Sequence, residues 1–194
     1  MPLNLPILLT WLRILLIPVF VGMFYLPTAW FSSHEVNYIA ALIFAVAALT
    51  DWLDGFLARA LNQTSAFGAF LDPVADKLMV AAALVLLVKL QRVDAGIALI
   101  IIGREIAISA LREWMAGLGM SKNVAVSFIG KLKTTAQMAA ILLLLYHEPA
   151  TLPGVGVFNT VLAGTILIYA AAILTLWSMV YYLRKAIPQI SSQN

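Results

Sequence analysis

Apolar residues occur along this chain in six long runs that are separated by short polar breaks. The runs lie around residues 8–29, 36–58, 69–90, 95–116, 126–146 and 156–183. Each run is close to, or longer than, the roughly 20 residues that a helix needs to cross a hydrocarbon core. The pattern therefore predicts an all-α integral membrane protein with six transmembrane helices.

The breaks between the runs are short, which makes neighbouring helices antiparallel. An even number of spans places both termini on the same side of the membrane. Residues 2–7 contain two prolines and Asn4 before the first apolar run. We expect them to form a short N-terminal interfacial segment along the lipid headgroups.

The composition agrees with a bilayer protein, because 63% of the 194 residues are hydrophobic and only 11% are charged. Soluble domains are roughly 45–50% apolar. No linker, repeat or low-complexity segment divides the chain, so residues 1–194 are expected to form a single membrane-embedded catalytic domain. The absence of cysteine excludes disulfides, thiolate metal sites and cysteine nucleophiles.

Basic residues are distributed unequally between the two predicted membrane faces. If the N-terminus is cytoplasmic, only Lys89 and Arg92 of the 12 lysines and arginines fall on the outer side. Basic residues concentrate on the cytoplasmic side of membrane proteins. The net charge of +3 therefore indicates orientation rather than nucleic-acid binding, with both termini in the cytoplasm.

Four aspartates are the first candidates for chemistry, and they lie at the end of the second run and the start of the third. Residues three or four apart share a helix face, so Asp51 aligns with Asp54, and Asp72 with Asp76. A helical hairpin would bring these carboxylates together. They would repel one another unless cations intervened. Oxygen-only ligands suit two Mg²⁺ or Mn²⁺ ions. The alternatives are that the aspartates cap helix ends or that they line the ion path of a transporter.

The same stretch meets a longer motif, D-x2-D-G-x2-A-R-x8-G-x3-D-x3-D. Its eight fixed positions are Asp51, Asp54, Gly55, Ala58, Arg59, Gly68, Asp72 and Asp76. In this motif the chain resembles the CDP-alcohol phosphatidyltransferase family, and residues 4–18, 103–116 and 129–138 are also similar to that family. The resemblance implies a six-helix membrane fold, usually dimeric, that transfers the phosphatidyl group of CDP-diacylglycerol to an alcohol and releases CMP.

The resemblance also implies roles for the motif residues. Asp51, Asp54, Asp72 and Asp76 would ligate the two divalent ions, and Asp76 would also be the general base that takes the proton of the acceptor hydroxyl. The residues that would hold the CDP-diacylglycerol headgroup are Asp51, Asp54, Gly55, Ala58, Arg59 and Gly68. Asn4, Thr10 and Arg13 also match the family. Three roles stay open for them: headgroup contact, helix capping and substrate binding.

A second basic set at the cytoplasmic helix ends consists of Arg104, Arg112, Lys131 and Lys133. Charge-assisted hydrogen bonds from these side chains suit the phosphate of glycerol 3-phosphate. Snorkelling to lipid headgroups is the alternative, and Glu105 and Glu113 are candidate partners of the arginines. In a regular helix Lys131 and Lys133 point about 200° apart, so both cannot face one pocket.

Together these features predict an enzyme of the bacterial inner membrane with its active site facing the cytoplasm. Its expected substrates are CDP-diacylglycerol and glycerol 3-phosphate, and its products phosphatidylglycerophosphate and CMP. The aspartate motif belongs to the reaction rather than to the alcohol. Phosphatidylglycerol, serine, inositol and inositol phosphate therefore stay as alternative acceptors.

Overall fold

The computed structural model describes residues 5–60, 66–117, 128–152 and 156–191. These residues form six α-helices and one antiparallel pair of short strands. In chain order the elements are α1 (Leu5–Met23), α2 (Ser33–Ala60), α3 (Ala66–Lys89), α4 (Ala95–Gly117), α5 (Phe128–Tyr146), β1 (Ala150–Leu152), β2 (Gly156–Phe158) and α6 (Thr160–Ser191).

Each predicted apolar run corresponds to one helix, which confirms the all-α class. Two stretches of the described chain, Ser33–Asp51 and Thr160–Tyr181, are long and apolar enough to cross a membrane by length and composition. Shorter apolar stretches cover Ile7–Met23 and Leu132–Tyr146. Six membrane crossings stay a prediction.

The start of the chain differs from the expected interfacial segment. Helix α1 already begins at Leu5, so residues 5–7 belong to that helix and not to a separate segment. Proline is tolerated in the first turn of a helix, because the amide that it lacks would have no partner there. This is why Pro6 does not delay the helix. Residues 2–4, including Asn4, lie outside the described residues.

Side-chain contacts show that α2 runs antiparallel to both α1 and α3. Thr10, early in α1, contacts Asp72, early in α3, and Arg13 contacts Asp51, late in α2. Asp76 lies one turn further along α3 and lines the same cavity as Asp51 and Asp72. We call this region, defined by Thr10, Arg13, Asp51, Asp72 and Asp76, the carboxylate end of the bundle.

Arg92 joins three elements at the opposite end. It follows α3, and its guanidinium donates to the Asn37 amide oxygen of α2 at 2.8 Å. It also donates to the backbone carbonyls of Leu144 and Leu145, at the end of α5, at 3.1 Å each. The last carbonyls of a helix have no partner within that helix, and a basic side chain satisfies them. We call this region the Arg92 end.

The interior of the bundle is built from small residues between larger ones. Ala40, Ala83 and Ala140 are completely buried, beside Phe44 and Leu84. Small residues let membrane helices approach closely. Helices α5 and α6 pack closely at Gly164, where an added methyl group would stand 2.8 Å from a side-chain carbon of Leu144 on α5.

The outer faces of the helices carry large apolar side chains that no other described residue covers. Leu15, Leu42, Val85, Leu99 and Ile173 are each more than half exposed. They occur on α1, α2, α3, α4 and α6, so the apolar surface surrounds the bundle. Soluble proteins rarely expose apolar surface so extensively, whereas a lipid-facing surface requires it.

The strand pair between α5 and α6 was not predicted. Strands β1 and β2 pair antiparallel, with Thr151 opposite Val157. Each strand has three residues, and alternation of apolar and polar residues needs about four or more residues to be recognised. The sequence indicated only a loop for this reason. The hairpin lies at the Arg92 end, away from the carboxylates.

Candidate active site

A cavity of about 620 Å³ opens at the carboxylate end. Helix α2 contributes Asp51 to its wall, and α3 contributes Asp72 and Asp76, which share a helix face because they are four residues apart. Helix α4 contributes Arg104 and Arg112. The wall from α2 and α3, which we call the acidic side, carries three carboxylates and Lys77. The wall from α4, which we call the basic side, carries the two guanidinium groups together with Glu105 and Glu113.

Helix α1 holds two of the three carboxylates in place. The Thr10 hydroxyl donates to Asp72 Oδ1 at 2.5 Å, and Arg13 Nη1 donates to Asp51 Oδ1 at 2.7 Å. Thr10 and Arg13 are three residues apart, so they lie on one face of α1. The structure thus places both residues in direct contact with the aspartates, where the sequence had left three roles open for them.

The Arg13–Asp51 pair is asymmetric in its exposure. The side chain of Arg13 is 1% exposed, whereas that of Asp51 is 43% exposed. A buried guanidinium requires a partner, because an uncompensated buried charge is strongly unfavourable. Arg13, on α1, therefore fixes one carboxylate oxygen of Asp51, and the carboxylate stays accessible from the cavity.

Asp76 differs from the other two aspartates in its contacts. It makes no hydrogen bond with any described residue, and it lines both the large cavity and a second cavity of about 190 Å³. The second cavity lies between α3, α4 and α5 and is walled mainly by apolar side chains, among them Val80, Ile102 and Met138. Asp76 is therefore the carboxylate with both oxygens available to a bound molecule.

The described carboxylates fit a hard divalent ion by their chemistry, since Asp51, Asp72 and Asp76 offer only oxygen and face one cavity. Within the described part of the chain, no three acidic or histidine side chains are arranged to hold one ion. The fourth motif aspartate, Asp54, lies on α2, but its side chain lies outside the described residues.

Several other predicted site residues are placed only by their helix. Gly68 is buried near the start of α3, close in sequence to Asp72. Three further predicted site residues of α2 and one of α5 have side chains outside the described part of the chain: Gly55, Ala58, Arg59 and Lys131.

The predicted acceptor cations of α4 and α5 meet at Glu105. Arg104 Nη1 stands 3.3 Å from Glu105 Oε1, and Lys133 Nζ contacts the same oxygen. Lys133 is buried, so of the two lysines in this segment it is the one whose side chain is seen to point into the bundle. The expected pairing of Glu105 with an arginine is confirmed, and Lys133 joins it.

Ser178 is a contact that the sequence did not indicate. Its hydroxyl accepts a hydrogen bond from Arg104 Nη2 at 3.0 Å and donates to the backbone carbonyl of Thr175 at 2.9 Å. Ser178 lies on α6, 74 positions from Arg104. A lone serine in an apolar helix carries no pattern that would single it out, so only the packing of α6 against α4 reveals it.

The geometry suits two phosphate-bearing ligands. A diphosphate bound through divalent cations would match the acidic side of the cavity, and a separate phosphate would match the basic side. The two sides belong to one cavity, so the two ligands would meet in it.

Comparison with known proteins identifies relatives along nearly the whole chain. The family model described as CDP-alcohol phosphatidyltransferase matches residues 3–177. Curated proteins from Salmonella typhimurium and Escherichia coli strain K12 are each 53% identical over 189 residues, covering 96% of this chain and 96% of the relative. Both are named CDP-diacylglycerol–glycerol-3-phosphate 3-phosphatidyltransferase. The matched region includes every carboxylate and cation that lines the cavity.

Proposed function

This chain belongs to the CDP-alcohol phosphatidyltransferase family, and we propose that the cavity at its carboxylate end is where the family's reaction takes place. The chain is a phosphatidyltransferase that joins the phosphatidyl group of CDP-diacylglycerol to glycerol 3-phosphate, giving phosphatidylglycerophosphate and CMP. One observation carries the assignment of the site: Asp51, Asp72 and Asp76 face Arg104 and Arg112 across one cavity.

The acidic side of the cavity is the proposed site for the CDP-diacylglycerol headgroup. Asp51, Asp54, Asp72 and Asp76 would hold two divalent ions, Mg²⁺ or Mn²⁺. When bound, these ions would neutralise the diphosphate and stabilise the charge that develops during transfer. The proposed headgroup residues beside them complete the motif: Gly55, Ala58, Arg59 and Gly68.

Asp76 is the proposed general base. The acceptor hydroxyl oxygen forms a bond to the phosphorus of the phosphatidyl group, and the bond from that phosphorus to the bridging oxygen of CMP breaks. CMP leaves with the electron pair, and Asp76 takes the hydroxyl proton. The absence of a described hydrogen-bond partner for Asp76 supports this role, because a base needs a free oxygen within reach of the proton. Asp51 and Asp72 each have one oxygen engaged by α1.

The basic side of the cavity is the proposed site for the phosphate of glycerol 3-phosphate. Arg104 and Arg112 line it, and the buried Lys133 reaches it through Glu105. Lys131 completes the proposed set. Binding here would place the acceptor hydroxyl toward Asp76, because the carboxylates and the guanidinium groups share the cavity.

Release of CMP from CDP-diacylglycerol by detergent-solubilised protein tests the reaction and its metal requirement. With Mg²⁺ or Mn²⁺, glycerol 3-phosphate is expected to support release, whereas serine, inositol, inositol phosphate and phosphatidylglycerol are not. A chelator is expected to abolish release, and added Mg²⁺ to restore it, because a diphosphate cannot approach three carboxylates without cations. Release that persists in chelator would contradict the metal assignment. Release with another acceptor alone would change the assigned substrate.

We also propose that all six helices cross the bacterial inner membrane, with the carboxylate end and both termini in the cytoplasm. The two long apolar helices, the exposed apolar faces and the position of Lys89 and Arg92 at the opposite end support this topology. A homodimer follows from the family resemblance, and light scattering on the detergent-solubilised protein tests it.

The topology has a direct test, because the chain contains no cysteine. A single cysteine placed at the exposed Gln91 is expected to react with a membrane-impermeant maleimide in spheroplasts. A single cysteine at the exposed Arg184 is expected to react only after the membrane is opened. Both positions are exposed, so differences in labelling report the side of the membrane rather than burial. The reverse labelling pattern would overturn the orientation.

A further inference from the structure

Glu105 occupies the junction of the two cavities at the carboxylate end. It lines the large cavity together with Arg104 and Arg112, and it lines the smaller one together with Asp76. A single oxygen of its carboxylate contacts both Arg104 and Lys133. Glu105 is therefore the acidic side chain that connects α4 to α5 on the basic side of the site.

The carboxylate of Glu105 is a counter-charge for two buried cations. Lys133 is 2% exposed and Arg104 is 7% exposed, so both side chains are buried. A buried cation that loses its carboxylate is strongly unfavourable, and its side chain is expected to leave its position. Ser178 holds the other terminal nitrogen of Arg104, so Glu105 and Ser178 orient this guanidinium from two sides.

The charges on this side of the cavity favour an anionic acceptor such as a phosphate monoester. A phosphate monoester carries a charge of about −1.5 to −2 at neutral pH. Lys133, Arg104 and Arg112 carry three positive charges, and Glu105 and Glu113, which line the large cavity, carry two negative charges. The excess charge on this side is therefore positive, which favours an anionic acceptor over a neutral alcohol.

We propose that Glu105 is a positioning residue that selects a phosphate-bearing acceptor by fixing Lys133 and Arg104 on the basic side of the cavity. This rests on the proposed function of that side. Glu105 acts through the two cations and takes no part in bond making. Its removal therefore affects acceptor binding more than the binding of CDP-diacylglycerol, which lies on the acidic side.

Steady-state kinetics of the purified, metal-loaded Glu105→Gln variant test the proposal. We expect the KM for glycerol 3-phosphate to rise about tenfold, which corresponds to ~1.4 kcal/mol of lost binding. We expect the KM for CDP-diacylglycerol and kcat to stay within about twofold. Glu148→Gln is the matched control, since it makes the same change at a glutamate that stands 3.3 Å from His34 at the Arg92 end, away from both cavities. Both of its KM values are expected to stay within about twofold of wild type.

A double-mutant cycle with Lys133→Met separates positioning from a general structural effect. If Glu105 acts by holding Lys133, Glu105→Gln changes the acceptor KM much less in the Lys133→Met background than in the wild type, because interacting residues are not additive. Additive effects would overturn the proposal. An equal rise in both KM values, a lower acceptor KM, or a loss confined to kcat would overturn it as well.

Two further results keep the outcome interpretable. If the wild type releases CMP only with another acceptor, the proposed function is wrong. If the wild type uses glycerol 3-phosphate and the Glu105→Gln variant has unchanged kinetics, the positioning role alone is wrong. Should Glu105→Gln not fold, Ser178→Ala removes one contact of Arg104 without leaving a buried charge unpaired. It is then expected to raise the acceptor KM about threefold, a smaller effect that suits one lost hydrogen bond. An unchanged acceptor KM in Ser178→Ala would overturn the proposal.

Discussion

Replacing Asp76 by asparagine is expected to reduce CMP release by about 10³-fold or more, because a positioned general base alone contributes 10²–10⁴-fold. Asparagine keeps the size of the side chain but cannot take a proton. The variant is expected to remain folded and membrane-inserted, since Asp76 makes no hydrogen bond with any described residue that the substitution would break. Single-turnover CMP release, with enzyme in excess over CDP-diacylglycerol, measures the chemical step directly.

Asp94→Asn is the matched control for this variant. Asp94 is exposed at the Arg92 end, and its carboxylate accepts a hydrogen bond from the backbone N–H of Gly96 at 2.7 Å, at the start of α4. Asparagine caps a helix about as well as aspartate does. Asp94→Asn is therefore expected to keep wild-type turnover and stability. Wild-type turnover in Asp76→Asn would instead remove the base assignment and leave Asp76 with a binding role.

The helices were predictable because a bilayer imposes one strong local rule. A membrane-spanning segment must satisfy its own backbone and present apolar side chains, so about 20 consecutive apolar residues predict a helix without reference to the rest of the chain. The boundaries were less accurate, as the early start of α1 at Leu5 shows. The hairpin of β1 and β2 was missed, because three-residue strands are too short to form a recognisable pattern.

In the candidate site, the sequence predicted the relative positions of residues on the same helix but not the contacts between residues that are far apart in the chain. Asp72 and Asp76 could be aligned from their spacing, because both lie on one helix. The pairing of Thr10 with Asp72 joins residues 62 positions apart, and that of Arg104 with Ser178 joins residues 74 positions apart. Such contacts depend on how helices pack. The segment that contains Lys131 and Lys133 is an example, since helical geometry predicted that the two side chains diverge but not that Lys133 is buried.

Replacing Arg13 by methionine is expected to lower kcat/KM for CDP-diacylglycerol about 100-fold. Methionine fills the buried space but gives up the ion pair, so Asp51 loses the contact that fixes one of its oxygens at 2.7 Å. A displacement of about 1 Å in a catalytic group is enough to cost 10²-fold in rate. Thr10→Val, which removes the hydrogen bond from the Thr10 hydroxyl to Asp72, is expected to lower the same constant about tenfold, in line with the loss of a hydrogen bond to a charged group.

Arg13→Lys and Lys89→Met separate orientation from charge. Lysine keeps the positive charge of Arg13 but lacks its planar fork, so an intermediate loss is expected if Arg13 orients Asp51. Lys89 stands at the Arg92 end with its ammonium 3.6 Å from the Tyr25 ring centroid, and Lys89→Met is expected to leave kcat/KM unchanged. Near wild-type kinetics in Arg13→Met, together with a lower melting temperature, would show that the pair with Asp51 stabilises the bundle without orienting a catalytic carboxylate. A loss in Arg13→Met that Arg13→Lys fully restores would show that charge, and not the fork geometry, is what Asp51 requires.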